Sequence, residues 1–336
     1  MFLLILRDLQ FRRWRVGLTI VLMAIVMTLL FIMSGLVEQF NVEPRLATER
    51  TAGELNWVVS EGTGGPFTSP RPVDAERFAA VDGEPILVAP SSVDGFRVSL
   101  VGRSYDTASP ELIAGRYPAD DGEVVIDASA GYEIGGAVSV GGLPGTVVGL
   151  TEDATILAGV PLTFVTLDFA QQTALGGQDL LLAKLTDQTS QELPDGLKLM
   201  TSDMVAADTL LPLDGAIASV TLVRALLWLI TVIIIAAIIY ITALERTRDF
   251  AVLKAVGGKT RDLGMSLLIQ GVVMTLIAVA IAGVLQTFIA PTFPLKVRVP
   301  SNAWLVIGGG AAIAALAAGL AGVMRVKSTS PAEAFG

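Results

Sequence analysis

The sequence predicts a membrane protein of four transmembrane α-helices in a one-plus-three order, with a large mixed α/β domain between the first and second helices. Three observations carry that prediction. Long apolar runs recur at Val16–Val37, Ile217–Leu244, Gly264–Ala290 and Ala303–Met324 in a chain of 336 residues that is 52% apolar and only 16% charged. Basic residues gather in short segments beside those runs. Between the first two runs lies an acidic stretch, Glu38 to Ala216, punctuated by Gly, Pro and Asp.

Each apolar run approaches or exceeds the ~20 residues with which a helix crosses about 30 Å of hydrocarbon. One such run is compatible with a buried core helix, but four runs flanked by charge read as spans. The first run is longer than the apolar part of a secretory signal, and no small-residue cleavage site follows it, so it reads as an uncleaved helix. Ahead of it, "MFLLILRDLQFRRWR" sets Phe2, Leu6 and Leu9 near one side of a helix with arginines at its end. That suits a helix in the headgroup layer, or simply an extension of the first span.

Orientation follows from the cations. Arg7, Arg12, Arg13 and Arg15 precede the first helix, Arg246, Arg248, Lys254, Lys259 and Arg261 separate the second from the third, and Arg325 and Lys327 follow the fourth. The positive-inside rule places these short segments, and both termini, in the cytoplasm of a cell-membrane protein. The expected organisation is a cytoplasmic amphipathic helix over 1–14, transmembrane helix 1 over 15–37 and an extracytoplasmic α/β domain over 38–216. Transmembrane helix 2 over 217–244, a cytoplasmic helix and turn over 245–263 and transmembrane helix 3 over 264–290 follow. An outer loop over 291–302, transmembrane helix 4 over 303–324 and a cytoplasmic tail over 325–336 complete it.

Within the outer domain, "LNWVVS", "PILVAP", "FRVSLVG", "EVVIDAS", "AVSV", "GTVVGL", "TFVTL" and "LLLAKL" read as strands between turn residues. Helical patches are expected near Ala75–Ala80 and Phe169–Leu175.

Composition also excludes chemistry. The chain has no Cys and no His. Disulfides, thiolate metal sites and histidine-dependent catalysis are therefore excluded within it. The net charge of −9 argues against a nucleic-acid partner. "GGKT", Gly257 to Thr260, ends like a phosphate-binding loop, but Leu253 stands where that loop needs its first glycine. No catalytic residue, metal site or cofactor is expected in this chain.

The same segment reads better as a contact helix. Phe250, Leu253 and Val256 share one face at i, i+3, i+6 spacing. Gly257 and Gly258 suit a helix C-cap and reversal, and Thr260 suits the N-cap of the next helix. A short cytoplasmic helix with apolar anchors serves either as a protein docking site or as a plain elbow resting on lipid.

Here "ALERTRDFAVLKAVGGKTRDL" resembles the cytoplasmic signature of the FtsX-like and MacB-like permeases of type VII ABC transporters. "VKSTSPAEAFG" is similar to that family's closing motif, with Ser330 where an acid is common, and "EVVIDASAGYEIGGAVSVGGLPGTVVGLTED" is similar to its outer-domain segment. The resemblance implies a non-catalytic homodimeric permease working with two copies of a separate cytoplasmic ATPase subunit, which carries the ATP and Mg. Carried onto this sequence, the ATPase-coupling residues are Glu245, Arg246, Asp249, Phe250, Leu253, Lys254, Ala255 and Gly257. It also implies a dimer seam made by helices 1 and 2, and close packing by the fourth helix at Gly308, Gly309, Gly310, Ala312, Gly319 and Gly322.

Few polar residues interrupt the spans. Arg224, near Trp228, reads as an interfacial snorkelling arginine or a functional charge. Gln270 and Gln286 suit interhelical hydrogen bonds, and Met23 and Met27 suit core or lipid contact. The leading functional expectation is export or membrane extraction of a hydrophobic or amphiphilic compound. One alternative is mechanotransmission to an extracytoplasmic partner, a cell-wall hydrolase or a lipoprotein. The other is haem efflux, with Met33 and Glu38 as candidate ligands near the outer end of helix 1.

Overall fold

In the computed structural model the described residues are 13–62, 64–68, 71–105, 110–187, 193–245, 260–293 and 295–328. The chain divides into two compact units, residues 1–38 with 218–336, and residues 39–217. Four helices are long and apolar enough to cross a membrane. Apart from Arg13 and Trp14, the N-terminal segment expected as an amphipathic helix lies outside the described residues.

The first unit is helical. It holds the first part of α1 (Arg13–Ala52), most of α4 (Asp214–Glu245), and all of α5 (Thr260–Ile289) and α6 (Ala303–Ser328). Its core joins Met23, Met27 and Phe31 of α1 to Ile235 and Ile239 of α4, Met274 and Ala278 of α5, and Ile307, Ala311 and Ala315 of α6. Met23 and Met27 are therefore core residues, as one reading of the sequence expected.

Small residues let the helices close on one another. A Cβ placed on Gly283 of α5 would fall 1.9 Å from the Trp304 ring of α6, and that ring also lies 5.3 Å from Phe31. A Cβ on Gly310 would come within 2.5 Å of Trp228, and one on Gly319 within 2.3 Å of Leu268. Gly309, by contrast, faces open space. Gly310 and Gly319 of α6 thus admit a neighbour that a side chain would block, Gly308 is in ordinary contact with Val279 at 3.7 Å, and Gly309 faces none.

The second unit is built on a mixed sheet. Its strands are β1 (Asn56–Ser60), β3 (Glu84–Val93), β4 (Phe96–Gly102), β5 (Leu112–Gly115), β6 (Glu123–Asp127), β7 (Ala137–Val140), β8 (Leu143–Thr151), β9 (Thr155–Ile156), β10 (Val160–Val165), β12 (Ala183–Thr186) and β13 (Leu197–Met200). They run in the order β13-β1-β12-β3-β4-β10-β6-β8-β5, with β7 paired to β3 and β8 and β9 to β10; β2 (Val73–Asp74) and β11 (Leu180–Leu181) pair separately. β10 is parallel to β4, and β6 to β8, amid antiparallel neighbours.

Local chemistry explains the turns. Asp94 and Gly95, at φ 49° and 86°, make the two-residue hairpin between β3 and β4 that suits the twist of paired strands. Helix α2 (Leu167–Leu175) is capped by the Thr166 hydroxyl, which accepts from Phe169 N, and ends at Gly176 in the left-handed region. It buries Phe169 and Ala170, and Ala170 fits only because β4 ends in Gly102. The patch expected near Ala75–Ala80 is a single 3-10 turn, Ala75–Phe78. Helix α3 (Ser202–Leu210), N-capped by Thr201, precedes α4.

One element differs from expectation. Helix α1 does not stop near Val37 but continues to Ala52, so the second unit begins with a helix and not with a strand. Gln39, Phe40, Glu43, Ala47, Thr48, Thr51 and Ala52 are buried along it, at the i, i+4 spacing of one helix face. Ala47 and Ala52 belong to the same core as Trp57, Ile86 and Val101.

Candidate functional site

Of the coupling residues expected from sequence, Glu245 is the last residue of α4. Arg246, Asp249, Phe250, Leu253, Lys254, Ala255 and Gly257 lie outside the described residues. Met33 and Glu38 are both half-buried on α1. Five residues apart, they point roughly 140° away from each other around the helix. One copy of α1 does not bring them onto a common face.

What the structure does build, and the sequence did not reveal, is a polar attachment of α1 inside the α/β unit. Glu43 is 2% exposed. Its Oε1 accepts from Thr155 Oγ1 at 2.7 Å and Gly159 N at 2.7 Å, and its Oε2 accepts from Ala158 N at 2.9 Å. The receiving loop is shaped for an anion. Leu157 and Ala158 hold φ of 50° and 69°, and Gly159 holds 97°. Left-handed backbone is costly at non-glycine positions. Here it turns successive N–H groups to one side, the concave arrangement that binds anions. Charge-assisted hydrogen bonds to the Glu43 carboxylate offset the strain. Asp127 steadies the start of the loop, accepting from Ala154 N at 2.7 Å and Ser129 N at 3.0 Å.

A second attachment lies two turns further along α1. The buried Arg103 donates Nε to Glu84 Oε1 at 2.9 Å and Nη2 to Glu84 Oε2 at 2.7 Å. Its Nη1 donates to the backbone oxygen of Thr51. The guanidinium therefore satisfies a helix-end carbonyl and a carboxylate together, which its planar fork allows and an ammonium does not. Beside it, Tyr105 donates to Val165 O at 2.9 Å, and burial pushes its phenol above the usual range against the pull of the Arg103 charge. At the exposed rim, Arg50 pairs with Glu111 at 3.1 Å and Arg45 approaches Asp203 at 4.0 Å, contacts of small energetic weight.

Hydropathy could not show this. The buried face of residues 39–52 is mostly Gln, Glu, Thr and Ala, and Pro44 reads as a helix breaker although it sits inside the helix.

The bundle offers no comparable polar centre among its described residues. Its buried polar side chains are Thr28, Thr231, Gln270 and Thr275. Gln270 lines a cavity of about 10 Å³ with Met23, Ile235, Gly271 and Met274, room for about one water. Gln286 and Arg224 are half-buried.

Comparison with known proteins places this architecture. Residues 221–331 match the model of the FtsX-like permease C-terminal region. An uncharacterised ABC transporter permease of Mycobacterium tuberculosis, Rv2563, is 33% identical over 98% of both chains, and a second from that species, Rv0072, is 33% identical over the same shares. The chain belongs to the FtsX-like family of ABC transporter permeases. The permease is also 35% identical over 85 residues, 25% of its length and 22% of the other's, to a putative hemin transport system permease, HrtB, of Staphylococcus epidermidis. Among solved structures, the extracellular domain of the transporter YknZ aligns over 44% of the permease and 99% of that chain, at 14% identity and a TM-score of 0.32. The periplasmic region of MacB from Actinobacillus actinomycetemcomitans aligns over 47% and 94%, at 14% identity and the same score. The four apolar helices of the permease are those of a membrane protein, with the α/β unit between the first and second.

Proposed function

We propose that this permease converts ATP hydrolysis by a separate cytoplasmic ATPase subunit into movement of its α/β domain, and that this movement exports or extracts a hydrophobic or amphiphilic compound. The carrying observation is the helix α1. It belongs to the apolar bundle up to Glu38, continues as helix to Ala52, and is held in the α/β domain at Glu43 and Thr51 by buried, charge-assisted hydrogen bonds. A helix fixed at both parts of its length transmits displacement better than a flexible linker.

In this reading both termini are cytoplasmic and the α/β domain is outside, an orientation supported by the basic segments beside the spans. The permease works as a homodimer with two ATPase copies. Exposed apolar side chains on α1 (Leu18, Leu22, Ile25) and α4 (Leu222, Leu226, Leu229) suit a seam between copies or contact with lipid. Residues 245–257 contact the ATPase. The described interior of the bundle holds no buried ionisable group, which favours an apolar cargo over a polar solute.

The similarity to the hemin permease favours haem as a specific cargo to test. Since Met33 and Glu38 diverge around one helix, joint ligation requires a second copy of α1. Mechanotransmission is the second reading. In that reading Phe96, 72% exposed at the β3–β4 turn, would be among the apolar side chains that meet the outer partner.

The test is co-expression with a cytoplasmic ABC ATPase subunit from the same organism, reconstitution in nanodiscs, and ATP turnover with haem, lipids and amphiphilic drugs added. Paired Phe250→Ala and Lys254→Glu changes should uncouple turnover from the permease. A compound that raises turnover identifies the cargo class. Failure of the two proteins to associate or to affect each other's activity would falsify the coupling role.

A further inference from the structure

The α4–α6 seam carries a charge that has no counterpart among the described residues. Arg224 and Trp228 stand at i and i+4 on one face of α4, and Trp228 lies on Gly310 of α6. Arg224 thus occupies the α4 face that meets α6, one turn nearer the end of the bundle where α6 begins. The contacts of Trp304 with Phe31 and of Val297 with Gly35 belong to that same end.

No described carboxylate pairs with Arg224. The described acidic side chains of this unit are Glu38 and Glu245, and Glu245 lies about 30 Å further along α4 at 1.5 Å per residue. From Ala225 to Leu244 no charge follows, so Arg224 marks the end of an apolar stretch as long as the hydrocarbon is thick. A guanidinium at that level seeks an anion with two acceptor oxygens. Beneath it the surface is apolar. Val306 and Ile313 flank Gly310 on one face of α6, 56% and 69% exposed.

We propose that Arg224 binds the phosphate or carboxylate head of an anionic amphiphile whose tail lies along the α4–α6 seam beside Trp228, Val306 and Ile313. The inference narrows the apolar cargo of the proposed function to an anionic amphiphile and rests on that reading for transport alone. Binding itself requires no ATPase, so the two fail separately. A molecule held here is either a resident lipid or the transported compound, and both present the same head.

The test is photolabelling of the full permease in nanodiscs, using phosphatidylglycerol with a diazirine in its acyl chain. The expected labels fall on the α4 and α6 segments around Trp228 and Ile313. Arg224→Gln should lower labelling roughly tenfold, as loss of a charge-assisted hydrogen-bond pair implies, and Arg224→Lys should recover part of it. On the wild-type protein, a phosphatidylcholine probe with the same tail should label several-fold less, a comparison that needs no variant to fold. Loss of the label on adding ATP and the ATPase marks cargo, and its persistence marks a resident lipid; both support the site. Equal labelling by the two lipids, insensitivity to Arg224→Gln, displacement by inorganic phosphate alone, or a seam covered by a second copy of the chain overturns it.

Discussion

Arg103 and Glu84 form a forked ion pair in the interior of the α/β domain, with the arginine 1% and the carboxylate-bearing side chain 14% exposed. The same guanidinium holds the Thr51 carbonyl at the end of α1. One side chain therefore couples the sheet to the helix. Breaking a buried pair from one side leaves an uncompensated charge and costs about 3–5 kcal/mol. Arg103→Met should lower the unfolding midpoint clearly, whereas Arg103→Met combined with Glu84→Met should recover part of the loss. A denaturant double-mutant cycle on the detergent-solubilised protein measures the difference.

Glu43 should behave similarly but locally. Glu43→Gln keeps the shape and removes the charge that the Ala158 and Gly159 amides face. A loss of about 2 kcal/mol is expected, and hydrogen exchange should rise first at residues 155–159. Permease-dependent ATP turnover should fall with it. Unchanged exchange in that loop would show that the strained backbone does not need its anion.

Glycine substitutions in the bundle should sort by contact. Gly283→Ala drives a methyl group into the Trp304 ring and should destabilise by about 1–3 kcal/mol, and Gly310→Ala should do the same against Trp228. Gly309→Ala meets nothing within 4 Å and should be neutral or slightly stabilising. Thermal unfolding in detergent separates the three. The combination of Gly283→Ala with Trp304→Leu should regain stability over Gly283→Ala alone.

Acid should find Glu123. Its hydrogen bonds from the Arg116 guanidinium, then from Ala119 N, hold the carboxyl at about 2 instead of 4.5. A carboxyl depressed on folding stabilises the protein above its unfolded value, and that contribution fades as pH falls from about 4.5 towards 2. Other acids titrate there too, so the readout is a comparison. The stability gap between wild type and Glu123→Gln should be widest near neutrality and close across this window.

The sequence alone determined the four spans, because hydropathy is local and additive and each run of about 20 apolar residues declares itself. It also determined most strands of the α/β domain, since Trp57–Val59 and Val124–Ile126 are apolar runs that end at turn residues. The family motif around Glu245–Gly257 was legible for the same reason: it is contiguous. The continuation of α1 to Ala52 was not, because its buried face is polar and small and contains Pro44, and such a face is recognisable only beside the groups that receive it. Glu43 meets a loop more than a hundred residues away, and Arg103, just past β4, meets Thr51 of α1 and Glu84 of β3. Those pairings depend on strand order and on two left-handed residues, Leu157 and Ala158, that no propensity favours. The tertiary structure decided them, since a buried charge finds its place through the hydrogen bonds that packing makes available.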